Sequence, residues 1–429
     1  MLTRLDLRGA GDALLTNLPR PAMAADLPVA SVRDLLAQVR EGGDAAVRAL
    51  TERFDGVVID ELRVPQAEID AALAAIPPLV REALEAARAS ILEFHRHQLS
   101  EDARHERNGV VVRELRRPVE RAGLYVPGGR ARYPSTVLMT GIPARVAGVP
   151  SLVLCVPPAA DGHVADVTLA AAALAGIDEV YRIGGVQAIA AMAYGTESVR
   201  PVDVIVGPGN VYVSVAKREV AQEGRVGVPS AFAGPSEVVV VADDVTPVEY
   251  AAIDVLVQAE HGPDGLAWLV TWSEEAADRI SDAVDKLVAS SPRRAEIEST
   301  LASGGYAVVV DSPEDAMAVV NHIAPEHLEL MTADPEALVP LVRNAGAVFL
   351  GMYAPASVGD YLAGPSHVLP TYGSARFSSA LGVADFQKLV HLVSLDSQAL
   401  SRLAPHVAAI AEAEGLVTHA ESVRIRGPL

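Results

Sequence analysis

A pattern of short apolar strand, turn and helix recurs between residues 124 and 210. Apolar segments end near residues 126, 156, 183 and 206, and three of them run directly into a glycine-rich turn that precedes a helical stretch. Consecutive parallel strands need long helical crossovers, so this alternation predicts a parallel sheet. Ligands bind such sheets beyond the carboxyl ends of the strands. The chain is therefore expected to adopt an α/β fold with a ligand crevice beside these turns.

A second α/β stretch spans roughly residues 238–350. Thr246-Pro247-Val-Glu249 and Ser312-Pro313-Glu-Asp315 each place a hydroxyl residue before a proline, with a carboxylate in the first turn, and so mark helix starts. Strands predicted at 266–271, 307–310 and 347–350 alternate with the helices. The residues after 385 predict helices rich in leucine and alanine. We expect two Rossmann-like parallel-sheet units, a short N-terminal segment and a helical C-terminal extension.

Composition limits the possible partners. The formal net charge of −20 and the pI of 4.9 argue against nucleic acid and anionic membranes, because phosphate groups need a basic face. No apolar run approaches the roughly 20 residues of a membrane helix, and acid interrupts the N-terminus where a signal peptide would be apolar. These features predict a cytoplasmic protein that binds small molecules. The single cysteine, Cys155, excludes an internal disulfide and is expected in the core.

The helix that begins at Pro247 is predicted to end at Gly262-Pro263. Gln258 and His261, three residues apart, would then share one face of its last turn. This spacing suits two metal ligands, although a histidine at a helix C-terminus also complements the helix dipole. The residues alone leave both interpretations open.

Two further stretches place acid and imidazole groups where regular structure is expected to stop. Glu326 and His327 follow Pro325 at a strand entry, where they offer two proton-transfer groups of different intrinsic pKa or simply a solvated loop pair. Asp360 and His367 lie in a glycine- and proline-rich segment that predicts neither helix nor strand. Both side chains are zinc-compatible, and a shaped loop does not by itself explain its charged residues.

Two glycine turns could hold a dinucleotide. Gly184-Gly185 and Gly207-Pro-Gly209-Asn210 each join a predicted strand to a helix, where backbone amides can bind a pyrophosphate. Neither turn has the GxGxxG pattern, so tight strand–helix turns without a ligand explain them better unless other evidence ties them to a dinucleotide.

Taken in order, these stretches resemble the histidinol dehydrogenase family over nearly the whole chain. The motifs that carry the resemblance are Gly123-Leu-Tyr125-Val-Pro-Gly-Gly129, Ile183-Gly-Gly-Val-Gln187, Val206-Gly-Pro-Gly-Asn210, Ala233-Gly-Pro-Ser236-Glu237, Gln258-Ala-Glu-His261-Gly-Pro-Asp264, Ala324-Pro-Glu326-His327-Leu328, Gly359-Asp360-Tyr361 and His367-Val-Leu-Pro-Thr371. Two positions depart from the family pattern: Ala356 stands where an acid is common, and Ser366 stands where an asparagine is common.

The resemblance implies roles for individual residues. It implies a zinc ion held by Gln258, His261, Asp360 and His419, with His419 supplied by the partner subunit of an intertwined homodimer. It implies proton transfer by Glu326 and His327. The implied substrate contacts are Ser236, His367 and Glu414, together with the zinc ligands and His327, and the implied NAD contacts are Tyr125, Gln187 and Asn210.

The resemblance also implies an activity and a domain plan. The family converts L-histidinol to L-histidine with two NAD⁺, in the last step of histidine biosynthesis. We expect an N-terminal segment at 1–24, a substrate and zinc domain from 25–122 and 237–382, an NAD domain at 123–236 and a dimerisation extension at 383–429. Rival interpretations are an aldehyde dehydrogenase with Cys155 as nucleophile, a zinc hydrolase in which Glu326 activates water, and a non-catalytic binding module.

Overall fold

The computed structural model describes residues 1–16, 18–19, 27–128, 131–177, 179–229, 236–262 and 265–426. Parts of the motifs above lie outside these residues: Gly129, Ala233-Gly-Pro235 and Pro263-Asp264. Residues 17 and 20–24 of the predicted N-terminal segment also lie outside them.

Strands and helices alternate through most of the chain. The strands are β1 (Thr3–Asp6), β2 (Ala103–Arg107), β3 (Val110–Pro118), β4 (Arg121–Tyr125), β5 (Ser151–Val156), β6 (Glu179–Arg182), β7 (Val204–Val206), β8 (Glu237–Ala242), β9 (Leu266–Thr271), β10 (Gly305–Val309), β11 (His327–Met331), β12 (Ala347–Leu350) and β13 (Gln387–Leu395). The helices are α1 (Val29–Asp55), α2 (Gln66–Ala75), α3 (Pro78–His97), α4 (Pro134–Ala147), α5 (Asp166–Leu174), α6 (Gly185–Tyr194), α7 (Val211–Gln222), α8 (Val248–Val257), α9 (Glu274–Ser290), α10 (Arg294–Gly304), α11 (Pro313–Ile323), α12 (Ala356–Tyr361), α13 (Ser397–Ala413) and α14 (Val417–Arg424).

The first α/β unit is a four-stranded sheet with strand order β6-β5-β4-β7, and all its pairs are parallel. One face packs apolar residues against α4 and α5, and the other packs them against α6 and α7. The order reverses between β4 and β7, so the carboxyl ends of these two strands border a crevice of the kind that binds nucleotides. The parallel sheet with helical crossovers that the sequence predicts for this unit is confirmed.

The second unit is a six-stranded parallel sheet with strand order β1-β10-β9-β8-β11-β12. Its central strands carry the buried valines and leucines expected of strands covered on both faces. The N-terminal segment adds β1 to the edge of this sheet, beside β10. Ser312 caps α11 as predicted, by accepting a hydrogen bond from Asp315 N. Thr246 does not cap α8; its hydroxyl donates to Asp243 Oδ1 instead.

A small antiparallel sheet corrects the prediction for the C-terminal extension. The extension begins not with a helix but with β13, which pairs along its whole length with β3 in the order β13-β3-β2. Only α13 and α14, which follow, are the predicted helices. The β-branched Val390 and Val393 within this segment favour a strand, and each residue of β13 pairs with a residue of β3 that lies 269 to 285 positions earlier in the chain.

The N-terminal helices pack on the first unit. Apolar residues of α1 join the core of α6 and α7, while those of α2 and α3 join the core of α4 and α5. The predicted domain plan grouped residues 25–122 with the second unit, and its limits stay a prediction. Among the described residues, no helix combines the length and apolar character needed to cross a bilayer.

Candidate active site

The centre of the site lies where β8 and β11 begin side by side. Glu326 and His327 are both buried at the entry of β11, and Ala324, in the left-handed conformation, ends α11 just before them. Glu237 N donates to Glu326 Oε2 at 2.8 Å, and His327 Nδ1 lies 3.0 Å from Glu237 O. The predicted acid and imidazole therefore lie within a buried hydrogen-bond network and are not a solvated pair.

Asp360 links this pair to the next predicted residue. His327 Nε2 lies 3.3 Å from Asp360 Oδ1, and Gln258 Nε2 donates to Asp360 Oδ2 at 3.1 Å. Side chains separated by more than 100 residues in sequence thus meet at one carboxylate. Asp360 lies in the short helix α12 rather than in the irregular loop predicted for it.

A close approach between two elements holds α12 in place. A Cβ atom on Gly359 would lie 2.5 Å from the ring of Phe349 on β12, so only glycine permits this packing. The Phe349 ring in turn stacks near His327, with ring centroids 6.0 Å apart. Gly359 therefore allows its neighbour Asp360 to reach His327.

His367 is held between the two units. Its Nδ1 atom lies 2.8 Å from Asp360 O, and its Nε2 atom lies 2.9 Å from Thr136 Oγ1 on α4. A carbonyl only accepts, so Nδ1 donates to Asp360 O and Nε2 accepts from the Thr136 hydroxyl. The Ser366 hydroxyl, beside His367, donates to Met139 O at 3.1 Å and accepts from Val368 N.

The helix bearing Gln258 ends earlier than predicted. Helix α8 stops at Val257, and Ala259–His261 forms a 3₁₀ turn. A 3₁₀ turn repeats every three residues, so Gln258 and His261 still lie on one side of the chain. Gln258 is buried, whereas His261 is exposed and its ring stacks near Tyr133 at 6.4 Å between centroids.

The described residues include side chains that could hold a metal ion. Among the described residues, no group of three or more His, Cys, Asp or Glu side chains is arranged to hold a metal ion. Gln258 and Asp360, however, place an amide and a carboxylate in direct contact, and their oxygens are ligand types that zinc accepts. The residues fit a zinc site that needs further ligands from His261 and from outside this cluster.

Ser236, Glu414 and His419 lie around or away from this cluster. Ser236 is half-buried directly before β8. Glu414 ends α13 and His419 lies on α14, and both are exposed. In the described parts of the chain, no hydrogen bond or ion pair joins either residue to the cluster. The buried residues of α14 and α13 form a separate small core of Ala408, Ala411 and Ala420.

The three residues predicted to contact a dinucleotide lie at or beside the turns that follow β4, β6 and β7. Tyr125 ends β4 and its hydroxyl accepts from Gly185 N at 3.1 Å, while Asn210 caps α7 by accepting from Val213 N. Gln187 is buried, and its Nε2 atom has no hydrogen-bond partner among the described residues. A buried amide nitrogen without a partner fits a ligand that supplies an acceptor.

Glycine is required where the crevice between β4 and β7 is tightest. Gly207 has a φ of +117°, and a Cβ atom there would lie 2.0 Å from Tyr125 O. Its carbonyl accepts from Lys217 Nζ at 2.7 Å. The turn after β7 therefore lies against the end of β4.

Several residues of the site were missed from sequence. Glu237 is buried, accepts from Tyr372 N at 2.8 Å and faces Glu326. Burial and the neighbouring Glu326 raise the pKa of Glu237 to about 8. Glu237 directly follows Ser236 in a motif that resembles the family, so the sequence could have indicated it as a site residue. Thr136 had no such signal, since only the packing of α4 brings it to His367.

A comparison with known proteins identifies the family. The family model described as histidinol dehydrogenase matches residues 18–427. The chain belongs to the histidinol dehydrogenase family. It is 51% identical over 393 residues to a histidinol dehydrogenase of Parasynechococcus marenigrum, covering 91% of this chain and 89% of that protein. It is 46% identical over 411 residues to one of Vibrio parahaemolyticus, covering 95% and 94% respectively.

Solved structures agree with this membership in the histidinol dehydrogenase family. The crystal structure of histidinol dehydrogenase from Elizabethkingia anophelis aligns with a TM-score of 0.93 and 34% identity, over 99% of this chain and 98% of that one. An acetylating aldehyde dehydrogenase from Geobacillus thermoglucosidasius aligns with a TM-score of 0.51 at 14% identity, over 85% of this chain and 96% of that one. That second likeness shows a shared fold alone.

The environment of Cys155 does not suit a catalytic nucleophile. Cys155 is fully buried in β5, and burial raises the pKa of its thiol to about 12. The thiolate is the reactive form, so a buried thiol with such a pKa is inert at neutral pH. Cys155 is a core residue, as the sequence predicted.

Proposed function

We propose that the chain oxidises L-histidinol to L-histidine in two NAD-dependent steps through a bound aldehyde. Membership in the histidinol dehydrogenase family supports this proposal. The structural observation that carries it is the buried contact chain from Glu326 through His327 and Asp360 to Gln258. It combines proton-transfer groups with groups able to hold a metal, and few other reaction classes need both beside a dinucleotide crevice.

The residues act in sequence on the substrate. In the first oxidation the alcohol loses its hydroxyl proton and a hydride, and we assign the proton to His327, which lies beside two carboxylates. In the second, water adds to the aldehyde carbon, and we assign the proton of that water to Glu326. Overall one water and two NAD⁺ are consumed, and two NADH and three protons are released. NAD⁺ accepts the hydride in each step.

We further propose that zinc is held by Gln258, His261, Asp360 and His419 of the partner subunit. The contact of Gln258 with Asp360 and the position of His261 one turn later support the first three. Zinc in this place would orient the amino and imidazole groups of the substrate. Ser236, His367 and Glu414 are proposed to contact the substrate.

For NAD we propose contacts with Tyr125, Gln187 and Asn210. All three lie on or beside the turns that follow β4, β6 and β7, and the unpartnered Gln187 Nε2 supports the proposal most directly. A homodimer and a cytoplasmic location also stay proposals. Exposed apolar residues of the C-terminal extension support the homodimer, among them Val393, Ile410, Val417 and Ile425.

The experiment supplies purified protein with L-histidinol and NAD⁺ and follows NADH by absorbance and histidine by mass spectrometry. We expect two NADH for each histidine formed. We also expect loss of activity on treatment with a chelator and recovery on addition of zinc. A zinc hydrolase would need no NAD⁺, so histidinol-dependent NADH distinguishes the two functions. Failure to form NADH from histidinol in a folded, zinc-loaded sample would contradict the proposal.

A further inference from the structure

Two acidic side chains lie buried beside the site without contacting the predicted substrate groups. Asp254 on α8 is 6% exposed and Glu329 on β11 is 1% exposed. Their carboxyl groups are hydrogen-bonded to each other. Buried acids are uncommon unless they are paired, and neither residue has a role in the proposed mechanism.

The contacts of this pair reach three elements of the site. Asp254 precedes Gln258 by one helical turn, and Glu329 follows His327 by two residues on the same strand. Glu329 Oε1 accepts from Ala356 N at 2.8 Å, at the start of the helix that carries Asp360. Elements α8, β11 and α12 are therefore joined at one point.

A hydrogen bond between two carboxyl groups requires that one of them carries a proton. Ala356 N–H uses one oxygen of Glu329, and the buried Oε2 atom has no other donor among the described residues. Two carboxylates at hydrogen-bond distance in a buried place do not both ionise, because repulsion and desolvation oppose it. Burial and then the charge of Asp254 raise the pKa of Glu329 to about 9.

We propose that Asp254 and Glu329 share one proton and act as positioning residues, which hold Gln258, His327 and Asp360 at the distances that metal binding requires. This inference rests on the proposed zinc site. The hydrogen bond is directional, so it sets the spacing of α8 and α12 relative to β11 in a way that apolar contact would not. The pair itself touches neither the metal nor the substrate.

The test uses three variants of the full chain. In Glu329→Gln the amide oxygen can accept from Ala356 N–H and the amide nitrogen can donate to Asp254, so the variant resembles the protonated pair. In Glu329→Leu the tether to Ala356 is lost and Asp254 is left unpaired. Leu330→Ala is the matched control, because Leu330 is equally buried on the same strand but packs into the core on the opposite sheet face.

Zinc affinity is measured by competition with a chelator, and stability is measured by thermal unfolding. We expect Glu329→Gln to bind zinc within about threefold of the wild type at pH 7 and Glu329→Leu to bind at least tenfold more weakly. Leu330→Ala should lose stability and keep its zinc affinity. Above about pH 9 the wild type should weaken relative to Glu329→Gln, since only the wild-type pair can lose its shared proton.

Two results would overturn the inference. One is a loss of zinc affinity in Glu329→Leu that is no greater than in Leu330→Ala at equal loss of stability, which would make the pair merely structural. The other is an equally large loss in Glu329→Gln, which would show that negative charge and not a shared proton matters. A wild type that binds no zinc would overturn the proposed zinc site and this inference together, whereas normal wild-type binding with unaffected variants would overturn the inference alone.

Discussion

The neighbours of two histidines of the site, His327 and His367, shift the pKa values of the two rings in opposite directions. His327 Nδ1 faces Glu237 O, which only accepts, so Nδ1 carries a proton, and Nε2, which faces Asp360 Oδ1, is the nitrogen that can take up a second proton. Burial would lower the pKa of His327, but the carboxylates of Glu326 and Asp360 raise it well above its usual value. Burial lowers the pKa of His367, which remains neutral between a carbonyl and a hydroxyl.

If His327 and Glu326 serve different oxidation steps, their substitution should slow the two steps to different degrees. His327→Asn should slow turnover of both L-histidinol and the aldehyde, and Glu326→Gln should slow aldehyde oxidation most. Losing a general base lowers rates by about 10²- to 10⁴-fold. Steady-state rates with each substrate supplied separately measure the effect. Equal and mild losses of both activities in both variants would contradict the division.

Cys155→Ser tests the core assignment of the single cysteine. The activity should stay within about twofold of the wild type, because the thiol is buried in β5 and takes no part in the proposed chemistry. Stability should fall by about 1–3 kcal/mol, since the new hydroxyl is buried without an assured partner. Thermal or denaturant unfolding checks the stability, and the NADH assay checks the activity. Abolished activity in a folded variant would revive the covalent mechanism.

At the scale of elements, a buried amine is hydrogen-bonded to the turn between β7 and α7. Lys217 is fully buried on α7, and burial lowers its pKa to about 7. Its Nζ atom donates to Gly207 O, which it can do in either charge state. The lysine thus holds the backbone of the proposed dinucleotide turn.

This placement predicts a pH-dependent stability. Unfolding returns the pKa of Lys217 to 10.5, so from pH 7 upward the unfolded chain binds more protons and the wild type gains stability. Between pH 7 and pH 9 the gain should be roughly 2 kcal/mol relative to Lys217→Met. Denaturant unfolding of both proteins at several pH values measures the difference. If the free energies of unfolding of the two proteins changed equally with pH, the low pKa of Lys217 would be contradicted.

Element prediction succeeded where the signal was local and failed where a partner decided the outcome. Strand limits at 266–271 and 347–350 match β9 and β12, because apolar runs between helix caps are read from neighbouring residues alone. The segment 387–395 was predicted as helix, yet it forms β13 because β3 offers an edge to pair with. Asp360 lies in α12 although glycine and proline surround it, since the packing of Gly359 on Phe349 stabilises that turn.

At the scale of the whole molecule, the C-terminal extension exposes more apolar surface than a single chain explains. Val393, Ile410, Val417 and Ile425 are each more than 60% exposed, and the extension also carries His419 and Glu414. Contiguous exposed apolar residues mark interaction surfaces. These exposed residues support the proposed homodimer, in which His419 would reach the site of the partner subunit.

Mixed dimers test whether sites are shared between chains. Each of His419→Ala and His327→Asn should be nearly inactive as a homodimer. Co-expressed, they should form heterodimers with one intact site, in which wild-type His419 reaches wild-type His327. Recovery of part of the wild-type activity in separately tagged, purified heterodimers is the expected result. No recovery in verified heterodimers would indicate that each subunit completes its own site.

The sequence by itself determined the alternation of strands and helices, the cap at Ser312, the burial of Cys155 and the short stretches that hold the candidate residues. Periodicity, capping and turn chemistry act over a few residues, so a single sequence is enough to read them. The tertiary structure alone decided that β8 lies beside β11, which brings Glu237 to Glu326, and that α8 packs where Asp254 meets Glu329. Sheet order and register join residues far apart in the chain, and no local pattern specifies which strand becomes the neighbour.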